Sequence, residues 1–130
     1  MNISKQVFAA RVGRAGEFLA MSKLEFAGHR CHHVNTVADD VWIKLSSGKI
    51  VTLQVKTSAK LQPHSHKYLF YTKPAKNIVK SNVFAFVVLD KGLVYFMKRS
   101  DHRLKHYNTR IHKDDFTQAN ENKTMKKVFS

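Results

Sequence analysis

The sequence predicts an α/β fold in which a central mixed β-sheet of about four to five strands is flanked by helices. Three observations support this fold class. Apolar residues recur at helical spacing over residues 6–27. Residues 50–56, Ile-Val-Thr-Leu-Gln-Val-Lys, alternate apolar and polar side chains as a half-buried strand does. Residues 83–89, Val-Phe-Ala-Phe-Val-Val-Leu, are the most apolar run of the chain and are typical of a central strand buried on both faces.

The first half of the chain predicts one helix and three strands. The apolar positions of the helix are Phe8, Val12, Ala15, Phe18, Leu19, Met21, Leu24 and Phe26. Two glycines interrupt it, so its regular part is expected to begin near Arg14, and Gly28 is expected to end it. A first strand is predicted over residues 29–36. Residues 40–45 and 49–57 form a hairpin whose turn is Ser-Ser-Gly at 46–48.

The second half predicts a loop, two further strands and a tail. Residues 58–66 are polar and read as a loop, and residues 68–71 as a short strand or the start of a helix. One or two helical turns are predicted over 74–80. Residues 83–89 and 93–98 form a hairpin across the turn at Asp90-Lys91-Gly92. A short last helix is predicted near Asp114 and Asp115 with an acid as N-cap, and residues 120–130 are predicted to be a flexible basic tail.

Composition indicates one domain with a polyanionic partner. The chain has 130 residues, a size at which one domain buries a substantial core. Lys and Arg number 23 against 9 acids, giving a net charge of +14, and nucleic acid is the commonest partner for such a charge. An apolar run long enough to span a membrane and a signal peptide are both missing, so no membrane partner and an intracellular, cytoplasmic location are expected.

Cysteine and histidine content offers a second, weaker interpretation. Cys31 is the single cysteine and cannot form an internal disulfide, which suggests a reducing compartment. Cys31 with His29, His32 and His33 invites a zinc site. A second ligand cluster at zinc-like spacing is missing from the sequence, so a small buried cysteine is the preferred interpretation.

Polar residues on the predicted hairpin supply the chemistry. Gln54 and Lys56 are two apart, so their side chains share one face of the strand, opposite Leu53 and Val55. Asp40 begins the neighbouring strand, and an acid facing an amide and a lysine suits a divalent metal and a phosphate. The alternative is an ordinary solvated sheet face. Asp39 competes with Asp40 for the role, and we favour Asp40 because strand residues follow it directly.

These residues resemble the PD-(D/E)XK nuclease superfamily. The resemblance rests on residues 13–17 (Gly-Arg-Ala-Gly-Glu), 40–43 (Asp-Val-Trp-Ile) and 48–58, and it covers roughly residues 10–100. It is strongest to the intron-encoded homing endonuclease branch and extends more distantly to archaeal Holliday-junction resolvases. The resemblance implies a restriction-endonuclease-like core over residues 1–130 as a single nuclease domain. It also implies a Mg²⁺-dependent endodeoxyribonuclease, with Mn²⁺ as an expected substitute, encoded by a phage or mobile element.

The resemblance assigns roles to individual residues. Asp40 matches the metal-binding acid, Gln54 replaces the usual second acid, Lys56 is the signature lysine and Glu17 matches the helix acid of some members. The backbone oxygen of Val55 is an expected further metal ligand. The sequence departs from the pattern where Asp39 replaces a proline and where Gln54 is neutral, which weakens metal binding. Glu17 has the alternative role of complementing the dipole in a first helical turn.

DNA contacts are expected from residues flanking the motif in sequence, namely Arg14, Thr57, Ser58, Lys60, His64 and Lys67. Cutting double-stranded DNA with one site per chain implies a homodimer or higher homo-oligomer. Site-specific, homing-type cleavage is the favoured function, and resolution of branched DNA is the alternative. A non-catalytic basic DNA- or RNA-binding protein with the same fold is the rival from another class. A ribosomal-type RNA-binding protein is a third alternative, which fits the size and charge but does not account for the acid, amide and lysine of the hairpin.

Overall fold

The structure is a computed structural model that describes residues 4–34, 40–72, 82–101 and 108–130. Its longest element is helix α1 (Lys5–Phe26). The Ser4 side chain caps the helix by accepting a hydrogen bond of 3.2 Å from the backbone N–H of Val7. Gly28, at a φ of +97°, lets the chain leave the helix, and the His29 N–H then bonds the Leu24 carbonyl at 2.9 Å. The expected delay of the helix to Arg14 is wrong, because the cost of one helical glycine, about 1 kcal/mol, does not break it.

Five strands form the central sheet: β1 (Arg30–His33), β2 (Val41–Lys44), β3 (Ile50–Ser58), β5 (Val83–Val88) and β6 (Leu93–Lys98). Their order is β1-β2-β3-β5-β6. The β3–β5 pair is parallel and the other pairs are antiparallel. The predicted α/β class with a mixed sheet of about this size is therefore confirmed, as are the two hairpins.

Each face of the sheet has its own cover. Helix α1 and a second helix, α2 (Gln118–Phe129), pack on one face through Ala20, Leu24, Met125 and Phe129. On the other face lies a separate two-stranded antiparallel sheet, formed by β4 (Lys67–Tyr71) and β7 (Asn108–His112). All six residues of β5 are buried between these layers, as expected for a central strand. Strand β7 was not predicted, and the helical turns predicted over 74–80 lie outside the described residues.

The C-terminal segment differs from the prediction of a short acid-capped helix followed by a flexible tail. Residues Lys113–Asp115 form a single 3₁₀ turn. Helix α2 begins after Thr117, whose hydroxyl accepts a hydrogen bond of 3.1 Å from the Asn120 N–H. Residues 120–129 are helical because Glu121, Met125 and Phe129, spaced four apart, are buried on one side of α2.

Among the described strands, β6 is an edge of the central sheet, and side chains from α2 accept hydrogen bonds from two of its N–H groups. The Glu121 carboxylate accepts hydrogen bonds of 3.0 Å from the Val94 N–H and 3.3 Å from Lys23 Nζ. The Thr124 hydroxyl accepts one of 3.1 Å from the Phe96 N–H. Glu121 is only 2% exposed, so these partners stabilise a buried charge. Among the described residues, none of the helices combines the length and apolar character that a membrane span requires.

Candidate active site

The site lies where the pairing of β2 with β3 stops. Among the described residues, that pairing ends at Val41 and Leu53, while β3 continues to Ser58. Asp40 stands just before β2, and its Oδ2 accepts a hydrogen bond of 2.8 Å from the Val55 N–H. Since the N–H and C=O of one strand residue point the same way, the Val55 carbonyl faces the same side as Asp40. The Asp40 carboxylate and the Val55 carbonyl oxygen therefore lie at the same edge of β3, where both could bind a cation.

The side chains of Gln54 and Lys56 lie on the face of β3 opposite to Leu53 and Val55, as the sequence alternation predicted. They pair in register with Phe84 and Phe86 of β5, and both are half-buried. Extending the β2–β3 register by one residue places Asp40 beside Gln54. The Gln54 Oε1 atom is buried and has no hydrogen-bond partner among the described residues. A buried carbonyl oxygen without a partner is uncommon, and it is suited to receive a donor or a cation.

Four ionisable side chains lie close enough to interact electrostatically, namely Asp40, Lys56, Glu17 and His33. Burial raises the pKa of Asp40, the hydrogen bond from Val55 lowers it, Glu17 raises it, and Lys56 and His33 lower it. Burial lowers the pKa of Lys56, and the charge of Asp40 opposes that shift. Both groups are thus held in an environment that disfavours their charged forms, as is common where side chains perform chemistry.

Helix α1 brings Glu17 to this cluster through a hydrogen bond to His33 that sequence reasoning missed. Glu17 Oε1 lies 2.9 Å from His33 Nε2 on β1, and the His33 ring lies 5.5 Å from the ring of Phe18. Because α1 begins at Lys5, Glu17 is in the middle of the helix and does not act on a first-turn dipole. The sequence contained a histidine cluster at 29–33, but only the β1–β2 register selects His33 as the partner.

Close packing of α1 on β3 depends on Gly16. A Cβ atom at Gly16 would lie 1.8 Å from Thr57 Oγ1. The Thr57 hydroxyl is buried beneath the helix and has no hydrogen-bond partner among the described residues. The predicted contact of Thr57 with phosphate therefore does not match the structure, since its hydroxyl faces α1.

The zinc interpretation finds no support. Burial raises the pKa of the Cys31 thiol to about 12. Within the described ranges, no three side chains of His, Cys, Asp or Glu are arranged to hold a metal ion. Any metal at the Asp40 site therefore needs the amide and backbone oxygens as well.

Four of the residues predicted to contact DNA meet in one cavity of about 630 Å³ next to the end of β3. They are Ser58, Lys60, His64 and Lys67. Arg14 lies elsewhere, with its guanidinium carbon 5.4 Å from the centre of the Phe18 ring on α1. The cavity also includes Arg110 of β7, which the sequence did not single out because β7 itself was not predicted.

Comparison with known proteins finds similarity in structure rather than in sequence. No protein-family model matches the chain, and no curated protein matches it in sequence. The solved structure of a bacterial homing endonuclease matches with a TM-score of 0.69 and 14% sequence identity, over 88% of this chain and 80% of that one. At this identity the likeness concerns the fold. The two chains therefore share a fold, which in this chain is an α/β core built on a five-stranded mixed sheet.

Proposed function

We propose that this chain is a DNA endonuclease that hydrolyses phosphodiester bonds. The observation that carries the proposal is the meeting of Asp40, just before β2, with Gln54 and Lys56 of β3, while α1 supplies Glu17. The match in fold to a solved homing endonuclease supports the reaction class. The net charge of +14 supports a polyanionic substrate.

We infer that the site takes Mg²⁺, with Mn²⁺ as a substitute. The ligand set fits a hard cation because all its atoms are oxygens. They are the Asp40 carboxylate, the Val55 carbonyl and the buried Gln54 Oε1, which has no partner within the described part of the chain. Glu17 is the further acid at the cluster. When bound, the ion would polarise a phosphoryl oxygen and lower the pKa of a water molecule.

The protein's own residues supply positioning and charge. The Val55 N–H holds the Asp40 carboxylate, and His33 holds that of Glu17, so both acids have a fixed orientation. The ammonium of Lys56 is suited to stabilise the negative charge that develops on the phosphoryl group. Because Lys56 is half-buried, its charge is less screened by water than that of a surface lysine.

The finer assignment rests on the sequence motif. We propose a PD-(D/E)XK-type site and site-specific, homing-type cleavage, with resolution of four-way DNA junctions as the alternative. One site per chain cuts one strand, so cleavage of both strands calls for at least a homodimer. The expected setting is intracellular.

A binding-only protein is the second candidate function, and a specific observation favours it. Gln54 replaces an acid with a neutral amide, and no ready-made cluster of three metal-binding side chains exists among the described residues. Such a protein would bind DNA through its charge and leave it intact.

Cleavage of plasmid and of a four-way junction with Mg²⁺ or Mn²⁺ tests the proposal. Asp40→Ala and Lys56→Ala are expected to abolish cutting while leaving DNA binding largely intact. Asp101→Ala and Lys44→Ala are the matched controls, because both residues are exposed and lie outside the cluster. Cutting that survives Lys56→Ala would contradict the assignment. If the unmodified protein binds DNA tightly but cuts neither substrate nor a random-sequence library, the binding-only candidate is favoured.

A further inference from the structure

The two-stranded sheet β4–β7 presents a distinct outer face. Its register pairs Lys67 with His112, Leu69 with Arg110 and Tyr71 with Asn108. The residues between them, Tyr68, Phe70 and Ile111, are buried against the central sheet. Side chains alternate along a strand, so the paired set points away from the core. His112 is left out because its Nδ1 accepts a hydrogen bond of 3.1 Å from the Asp114 N–H. The remaining five residues, which we call the outer face, are Lys67, Leu69, Tyr71, Asn108 and Arg110.

The outer face combines hydrogen-bond donors with exposed apolar surface. Lys67, Asn108 and Arg110 are exposed, while Leu69 is 37% and Tyr71 72% exposed. Arginine and lysine suit the two acceptors of guanine, asparagine suits adenine, and apolar groups contact the thymine methyl. Acidic side chains, which would repel phosphate, are absent from this set.

The size of the two-stranded sheet β4–β7 suits the major groove of DNA. Two hydrogen-bonded strands lie about 5 Å apart, and the major groove of B-form DNA, about 12 Å wide, admits a two-stranded β-ribbon. The cavity of about 630 Å³ is lined by Leu69, Tyr71 and Arg110 together with Lys60 and Lys67. A duplex seated on the outer face would thus find Lys60 placed for its phosphates beside the groups placed for its bases.

The outer face is also linked to the candidate active site. Ser58 lines the same cavity and is the second residue after Lys56 on β3, a separation of about 7 Å along the strand. DNA held in the cavity would therefore lie close to Lys56 and Asp40. We propose that the outer face of β4–β7 reads base edges in the major groove of the DNA substrate. This inference rests on the proposed endonuclease function.

Selection of bound duplexes from a randomised DNA pool tests the inference. The protein carries Lys56→Ala throughout, so that bound DNA is not cut. This protein is expected to enrich a sequence motif. Adding Arg110→Ala is expected to relax the preference at one or two base positions by about 5- to 140-fold, the discrimination of a lost bidentate contact. Arg30→Ala, an exposed arginine on β1, is the matched control and is expected to leave the motif unchanged.

Lys60→Ala separates base reading from phosphate contact. It is expected to weaken binding to all sequences alike and to lower the salt dependence by about one counterion, with the motif retained. A motif unaltered by Arg110→Ala, or a pool that enriches no motif, would overturn the inference. Cleavage of the selected duplex by the unmodified protein is scored separately. An Arg110-dependent motif that is bound but never cut leaves base reading standing and removes the endonuclease proposal.

Discussion

Replacing Gly16 with alanine tests the contact that brings Glu17 to the site. The new Cβ would lie 1.8 Å from Thr57 Oγ1, 2.7 Å from its Cγ2 and 2.8 Å from its Cβ. Normal contacts between such atoms begin near 3.5 Å. Rotation of Thr57 cannot remove the overlap because its Cβ does not move on rotation, so α1 must shift away from β3. Overpacking of this kind costs about 1–3 kcal/mol.

Gly13→Ala is the matched control on the same helix. A Cβ there meets no atom within 4 Å, so the variant gains helix propensity of about 0.5–1 kcal/mol without a clash. Both variants gain that propensity, so the difference between their free energies of unfolding in urea isolates the overlap, at about 1–3 kcal/mol. In a Thr57→Ala background the cost of Gly16→Ala should shrink. Equal stability of the two alanine variants would refute the reasoning.

Three further outcomes are expected. Folding raises the pKa of Asp40 above 3.8, so ionisation of Asp40 destabilises the folded protein as the pH rises from 3.8 through the raised pKa. An asparagine at this position keeps the acceptor for the Val55 N–H but carries no charge. The free energy of unfolding of Asp40→Asn in urea should therefore increase, relative to that of the unmodified protein, as the pH is raised from 3.5 to 7. A decrease over this range would contradict the prediction. Mg²⁺ at a hundredfold excess over its Kd should stabilise the unmodified protein by about 2.7 kcal/mol in thermal unfolding but not Asp40→Ala, and equal shifts would argue against the site. Glu121→Ala should cost about 1–3 kcal/mol because the buried Val94 N–H loses its acceptor, while the exposed Asp101→Ala should change stability by less than about 0.5 kcal/mol.

Elements with a strong local pattern could be predicted from the sequence. The hairpin that carries Asp40, Gln54 and Lys56 follows from alternation and a Ser-Ser-Gly turn, and β5 follows from a continuous apolar run. Strand β7 was not predicted because its residues are mostly polar and Ile111 is its one buried residue. Pairing with β4, about forty residues earlier, makes it a strand, and local sequence does not encode that pairing.

Helix α2 and the partner of Glu17 were missed for related reasons. The buried stripe of α2 places Glu121 beside Met125 and Phe129, which interrupts its apolar pattern. Glu121 becomes a core residue only through Val94 and Lys23. His33 approaches Glu17 only after α1 has packed on the sheet. Local periodicity thus located the candidate donors, while the contacts that orient them depend on tertiary packing.

Capping of β6 by α2 has a consequence for self-association. An edge strand with free N–H groups can accept a strand from another molecule, which is a common route to aggregation. The side chains of Glu121 and Thr124 occupy the Val94 and Phe96 groups, so β6 cannot be extended there. During synthesis, a nascent chain that has produced β6 but not yet α2 still displays this open edge beside apolar surface, and in that interval it is most in need of chaperone protection.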